Sequence, residues 1–222
     1  MDAAALAERA LGVGQETDNF AFVLLGTGIG MGLVLGGRLH RGVHGVAGEI
    51  AFMPLGGDPR AWAEPEQVTA SPDGRVTTGP DGVIIDPAEA RRRGTLETAV
   101  AADGVVRAAR LAGLTGLTTA RGVFEAAAAG DERAADVVAR EARLVAAAIC
   151  CVIAVVDPSL IVFGGGIGQA PGFAEAVTRA LAEIAPVVPE VKVSALGTDV
   201  VVDGCLAEAT AMAWTQLIAS LP

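Results

Sequence analysis

The chain has 222 residues, of which 52% are hydrophobic, and it carries a formal charge of −10. That much apolar content supports one large folded domain or two small ones and excludes a disordered chain. The acidic balance excludes direct nucleic-acid binding through a cationic face, because phosphate backbones demand Lys and Arg.

In chain order, DAAALAERAL (2–11) predicts a short helix with Asp2 placed to cap it and Gly12 and Gly14 to end it. FAFVLL (20–25) predicts a strand, GTGIG a loop, MGLVL (31–35) a second strand and RLH a third after the Gly36-Gly37 turn. Their tight connections predict antiparallel pairing. Residues 56–93 are rich in Pro, Gly and Asp, with only VII (83–85) strand-like, and predict a long loop. Helical periodicity returns from Leu96 to Leu111, from Arg121 to Ala129 and from Glu132 to Val156. LIVF (160–163) predicts a buried strand, GGGIGQA a loop and residues 173–185 a helix. VKVSAL (191–196) and a final helix from about Leu206 to Ile218 close the chain. Hairpin strands first, then helices alternating with strands, predict a mixed α/β sheet with helices on its faces.

Cys150, Cys151 and Cys205 show no CxxC spacing; the adjacent pair reads as buried small hydrophobes, and the odd number fits a reducing cytoplasm. No leader pattern opens the chain, so a cytoplasmic location is expected. The longest apolar run, LVAAAICCVIAVV (144–156), is too short to span a bilayer, so no membrane partner is expected.

Two glycine loops are candidate ligand sites. GTGIGMG fails the GxGxxG spacing, since Met31 and Leu33 stand where the last glycine would, and it leads into a strand rather than a helix. Its bare backbone N–H groups and Thr27 hydroxyl suit phosphate oxygens, and a plain glycine-rich hairpin turn accounts for it equally well. GGGIG (164–168) sits between a strand and a helix, where a ring or ribose can lie against the backbone; Gln169 breaks its GxGxxG match. RGVHGVAGEIAFMP (41–54) sets His44 and Glu49 among small neighbours. An ionised carboxylate there can accept two hydroxyl hydrogen bonds at once, as vicinal sugar hydroxyls offer.

Together, GTGIGMGLVLGGRLHRGVHGVAGE and VVDPSLIVFGGGIG resemble the ROK family of repressors, open reading frames and sugar kinases. The resemblance implies the large lobe of an actin-like (ribonuclease H-like) ATPase fold over residues 1–203, including the long loop 56–93. Residues 204–222 would be a closing helix that in the family returns to a small lobe. It implies nucleotide-facing roles for Gly26, Thr27, Gly28, Gly30, Gly164, Gly165 and Gly166, and sugar-facing roles for His44, Gly48, Glu49 and, through GTLE (94–97), Glu97. A plain surface glutamate in a turn competes with that role for Glu49, and a simple placement near a helix amino terminus competes with it for Glu97.

Three departures qualify the resemblance. Family members often carry a histidine after the glutamate and then a CxCGxxGC zinc cluster; here Phe52 and Thr95 replace donor positions and no cysteine lies between 50 and 149, so zinc is not expected. The family's DxGxT phosphate motif has no counterpart. Its catalytic Asp would align upstream of Met1, so no catalytic residue is expected here and ATP with Mg²⁺ only with a further lobe. The expectation is a sugar-binding effector lobe of a ROK-type transcriptional regulator, lacking its DNA-binding segment. The alternative is part of an ATP-dependent sugar kinase. The partners expected are a small sugar and a second copy, with the closing helix docked on it.

Overall fold

The computed structural model describes residues 1–55, 87–197 and 199–220, so the strand-like 83–85 lies outside them. Helix α1 (Asp2–Leu11) and a 3-10 turn (Val13–Glu16) lead into β1 (Phe20–Leu25), β2 (Ile29–Leu35) and β3 (Arg38–Leu39). After a second 3-10 turn (Ile50–Phe52) come α2 (Pro87–Arg93), α3 (Thr95–Val100), α4 (Ala102–Leu111), α5 (Ala120–Ala128) and α6 (Glu132–Val156). Then follow β4 (Leu160–Gly164), the single turn α7 (Gly165–Gly168), α8 (Phe173–Ile184), β5 (Glu190–Val193) and α9 (Val200–Ala219).

The strands form one mixed sheet in the order β3-β2-β1-β4-β5. The hairpin strands pair antiparallel, Phe20 opposite Val34 and Val34 opposite Leu39. β1 and β4 pair in parallel, Phe20 opposite Leu160, as do β4 and β5. Side chains alternate across the sheet, so each central strand feeds two cores. Phe20, Phe22, Leu160 and Val162 pack with Ala4, Ala5 and Ala7 of α1 and Val200 of α9. Ala21, Val23, Leu25, Ile161 and Phe163 share the other core with Val145 and Ile149 of α6 and Phe173 and Leu181 of α8. Phe163 meets Phe173 edge-on, with ring centres 5.9 Å apart. Apolar cover on both faces is what parallel strands require.

The long α6 has the bounds its periodicity predicts. The Asp131 carboxylate accepts the Ala134 N–H at 3.1 Å to cap its start. At its end Asp157 adopts the left-handed conformation (φ 50°) ahead of Pro158.

Elsewhere the structure corrects the sequence expectation. Asp2 does not cap α1; Met1 holds the cap position, and Asp2 pairs with Arg41 at 2.9 Å. β2 starts at Ile29, which pairs with Leu25, so the loop shortens to residues 26–28. The run Leu96–Leu111 is two helices, because Ala101 is extended (ψ 166°) and the next amide, Ala102 N–H, donates to Gly26 C=O at 2.8 Å. β5 ends at Val193, since Ser194 turns its hydroxyl onto the fully buried Glu8 carboxylate. Cys150 is half-buried and Cys151 exposed, because the apolar run of α6 is wider than the stripe it buries.

α9 begins six residues before the predicted Leu206 and runs unbroken through position 204. There it crosses α1 so closely that a Cβ on Gly204 would stand 1.6 Å from the Ala3 carbonyl oxygen. Beyond the crossing the helix stands clear of the body. Leu206, Met212, Trp214, Leu217 and Ile218 are all exposed, and the helix is apolar on every side, a pattern that belongs to buried helices. No helix of the described residues is long and apolar enough to cross a membrane.

Candidate functional site

Because β1 and β4 run parallel, their carboxyl ends open at the same edge of the sheet, where α/β folds receive ligands. The loop 26–28 leaves β1 there and α7 leaves β4. The two touch: a Cβ on Gly26 would lie 3.6 Å from the Gly166 amide nitrogen. Gly165 makes the approach possible. Its φ is +82°, and a Cβ would stand 2.4 Å from the Leu25 carbonyl oxygen, so a side chain is excluded on both counts. Thr27 and Gly166 are exposed at this edge, whereas Gly164 is buried against the Phe22 ring. Gly30 is also taken off the open loop. It lies within β2 opposite Leu24, and the Met1 side chain covers it.

The segment carrying His44 and Glu49 reaches the same region. Met31 N–H donates to Gly48 C=O at 3.1 Å, tying the segment to the early part of β2. Just beyond Glu49, Ile50 and Ala51 are buried in the larger core. Glu49 is therefore held on both sides by anchored neighbours while its own side chain is exposed. Its carboxylate has no hydrogen-bond partner among the described residues, nor has the exposed His44 ring or the Thr27 hydroxyl. A carboxylate fixed by its backbone and free at its tip is prepared to accept hydroxyl donors at a small ordering cost.

Glu97 is placed differently. One carboxylate oxygen, Oε2, accepts the Ile29 N–H at 3.1 Å, and the other, Oε1, accepts Arg93 Nε–H at 2.9 Å. Arg93 also donates to Glu89 at 2.6 Å and to both oxygens of Asp103 at 2.9 and 3.2 Å. The Asp103 hydrogen bond, followed by those to Glu97 and Glu89, outweighs partial burial and holds the Arg93 guanidinium pKa above its ordinary value. Burial pushes the Asp103 carboxyl up, but the Arg93 hydrogen bond and the charges of Arg107 and Arg93 prevail and hold it below its ordinary value. Gly94 links this cluster to the Glu49 segment, since it packs on the Ala51 carbonyl with φ +90°.

The structure thus gathers Gly26, Thr27, Gly28, Gly165, Gly166 and Glu97 at one edge of the sheet, with Gly48 and Glu49 tied to β2 beside it. Sequence reasoning missed Arg93, Asp103 and Ala102. The signal for Arg93 was present in EARRRGTLE, where Glu89, Arg93 and Glu97 follow one another at four-residue spacing. Among the described residues no group of three His, Cys, Asp or Glu side chains is placed to hold a metal ion.

Comparison with known proteins adds the wider context. The chain is 34% identical over 198 residues to the bifunctional enzyme NanE/NanK of Brucella suis, covering 89% of this chain and 31% of that protein. It is 33% identical over 181 residues to a glucokinase of Halalkalibacterium halodurans, covering 75% of this chain and 47% of that protein. The chain therefore spans from 31% to 47% of the length of these curated relatives. Among solved structures, the ROK hexokinase of Thermus thermophilus matches with a TM-score of 0.68 at 29% identity, over 93% of this chain and 64% of that one. A ROK family transcriptional regulator, a homologue of the E. coli MLC protein, matches with a TM-score of 0.69 at 25% identity, over 93% of this chain and 49% of that one. The ROK family model matches residues 1–212, and the chain belongs to that family.

Proposed function

We propose that this chain is the sugar-binding effector lobe of a ROK-type transcriptional regulator, with DNA binding supplied by a segment outside these residues. The observation that carries the proposal is the Glu49 carboxylate, exposed and unpartnered among the described residues on a segment anchored through Gly48 and Ile50. Two vicinal hydroxyls of a sugar ring match its two oxygens, and charge-assisted hydrogen bonds of this kind are each worth about 1.5–3 kcal/mol. Calorimetric titration with hexoses, amino sugars and pentoses tests the proposal. Saturable binding of one sugar class is expected, and silence across the panel at millimolar concentration contradicts it.

A sugar-kinase parent is the second reading, and the names of the relatives at 33–34% identity favour it. The Gly28 N–H and the Thr27 hydroxyl would then face phosphate oxygens and Gly166 the adenosine side, a fit that the touching glycine loops support, while the Gly26 N–H is spent on the Gly28 carbonyl at 2.9 Å. ATP with Mg²⁺ would supply the phosphoryl group. The two readings part on the full-length protein, where ATP-dependent phosphorylation of the bound sugar identifies the kinase and its absence the regulator.

For this chain the proposal includes a homodimer joined through α9. Leu206, Thr210, Ala213 and Leu217 recur at spacings of four, three and four, which is the seam of a paired helix. Sedimentation at micromolar concentration is expected to show a dimer that the double substitution Leu206→Glu, Leu217→Glu converts to monomer. An unchanged sedimentation coefficient contradicts this.

A further inference from the structure

Glu97 and its arginine partner form the most densely ion-paired cluster at the site, and its contacts point inward to the loop rather than outward. Two hydrogen bonds, one from within α3 and one from the first residue of α4, hold the two ends of the loop between β1 and β2. At the loop's start, Gly26 C=O accepts from Ala102 N–H at 2.8 Å. At its end, Ile29 N–H donates to Glu97 Oε2 at 3.1 Å. Between these points Gly28 packs so tightly that a Cβ would stand 2.6 Å from the same carboxylate oxygen. The Glu97 side chain is long and flexible, so what fixes it decides how well the loop is fixed. Arg93 does this through its Nε–H bond, and Arg93 is itself held by Glu89 and by the two-pronged bond to Asp103. The fork geometry of a guanidinium locks direction as well as distance.

We propose that Arg93 is a positioning residue that preforms the 26–28 loop by holding Glu97 against the Ile29 amide. Glu97 thereby holds the loop from its inner side, with the exposed Glu49 segment tied to β2 beside it. This deepens the phosphate-facing reading of the loop given above. Its test uses the ligand-free chain, so failure of sugar or nucleotide binding and failure of this proposal are separate results.

Hydrogen–deuterium exchange of the segment containing Ile29 is the measurement. Arg93→Met is expected to speed exchange there about tenfold or more, as loss of a charge-assisted hydrogen bond implies. Arg93→Lys restores part of the protection. Arg107→Met, which removes a group bonded to Asp103 and the Thr98 carbonyl but not to Glu97, leaves it at the wild-type rate. Should Arg93→Met fail to fold, the amide proton resonance of Ile29 decides. It is expected to shift in Glu97→Gln, whose neutral side-chain oxygen can still accept the bond but no longer pairs with Arg93 by charge. Wild-type exchange in Arg93→Met, or an Ile29 resonance indifferent to Glu97→Gln, overturns the proposal.

Discussion

Replacing Gly94 with alanine is expected to destabilise the fold by about 3–5 kcal/mol, at the exceptional end for one methyl group. Gly94 has φ +90° and ψ 154°, a region that is open to glycine and closed to other residues at a cost of about 1–3 kcal/mol. An added Cβ would also stand 2.1 Å from the Ala51 carbonyl oxygen and 2.4 Å from its carbon. Backbone, not a flexible side chain, would have to move. The displaced parts are the turn that follows Glu49 and the start of α3, so the damage falls between the two candidate carboxylates. For a domain of this size each kcal/mol moves the melting temperature by about 2–4 °C, so a fall of roughly 6–20 °C is expected in a thermal melt. Gly45→Ala is the control. Its φ is +73° but nothing lies within 4 Å of the added carbon, so backbone strain alone, about 1–2 kcal/mol, applies. Equal losses at the two positions would contradict the packing assigned to Gly94.

Glu141 predicts a change of opposite sign. It lies on α6, fully buried, with neither carboxylate oxygen hydrogen-bonded among the described residues. Its neighbours one turn away, Val137, Leu144 and Val145, are buried and apolar. Burial drives its carboxyl well above the ordinary value, against a smaller opposing pull from the Arg140 charge. Glu141→Leu removes an unpaired buried acid and keeps the volume, so stabilisation of about 1–3 kcal/mol is expected. The gain depends on pH in a defined direction. Below the unfolded-state pKa, about 4, both folded and unfolded chains carry the proton and the ionisation penalty is absent. As pH rises above that value the unfolded chain ionises first, so the native state loses stability until pH passes the raised folded value. The advantage of Glu141→Leu, and of Glu141→Gln to a lesser degree, should therefore grow from acid to neutral pH. Denaturant titrations at pH 4 and pH 7 check this, and a gain that shrinks with rising pH contradicts it.

What the sequence made legible was local. β1 was read to its end residues because FAFVLL is apolar throughout and bounded by Asn19 and Gly26, and α6 because Asp131 and Asp157-Pro158 bracket an unbroken 3.6-residue pattern. The glycine loops and Glu49 stood out in the sequence because their residue types are unusual in place. What stayed hidden depends on partners distant in sequence. The break at Ala101 serves a bond to Gly26, and the end of β5 serves a bond from Ser194 to Glu8, 186 positions away. The early start of β2 follows from Ile29 pairing with Leu25. Glu97 shows both sides of the matter. Its presence was legible, but its two bonds, to Arg93 and to Ile29, appear only once the loop and α3 are brought together. Cys151 was misplaced because an apolar helix longer than its buried stripe must expose some of its small residues.

The role of Glu49 as the acceptor of sugar hydroxyls is tested most directly by calorimetric titration of the sugar that binds best into the wild type and into Glu49→Ala. Loss of two charge-assisted hydrogen bonds predicts a fall in affinity of about a hundredfold or more, with the melting temperature unchanged because the side chain is exposed and unpartnered among the described residues. Equal affinities for the two proteins would contradict the account.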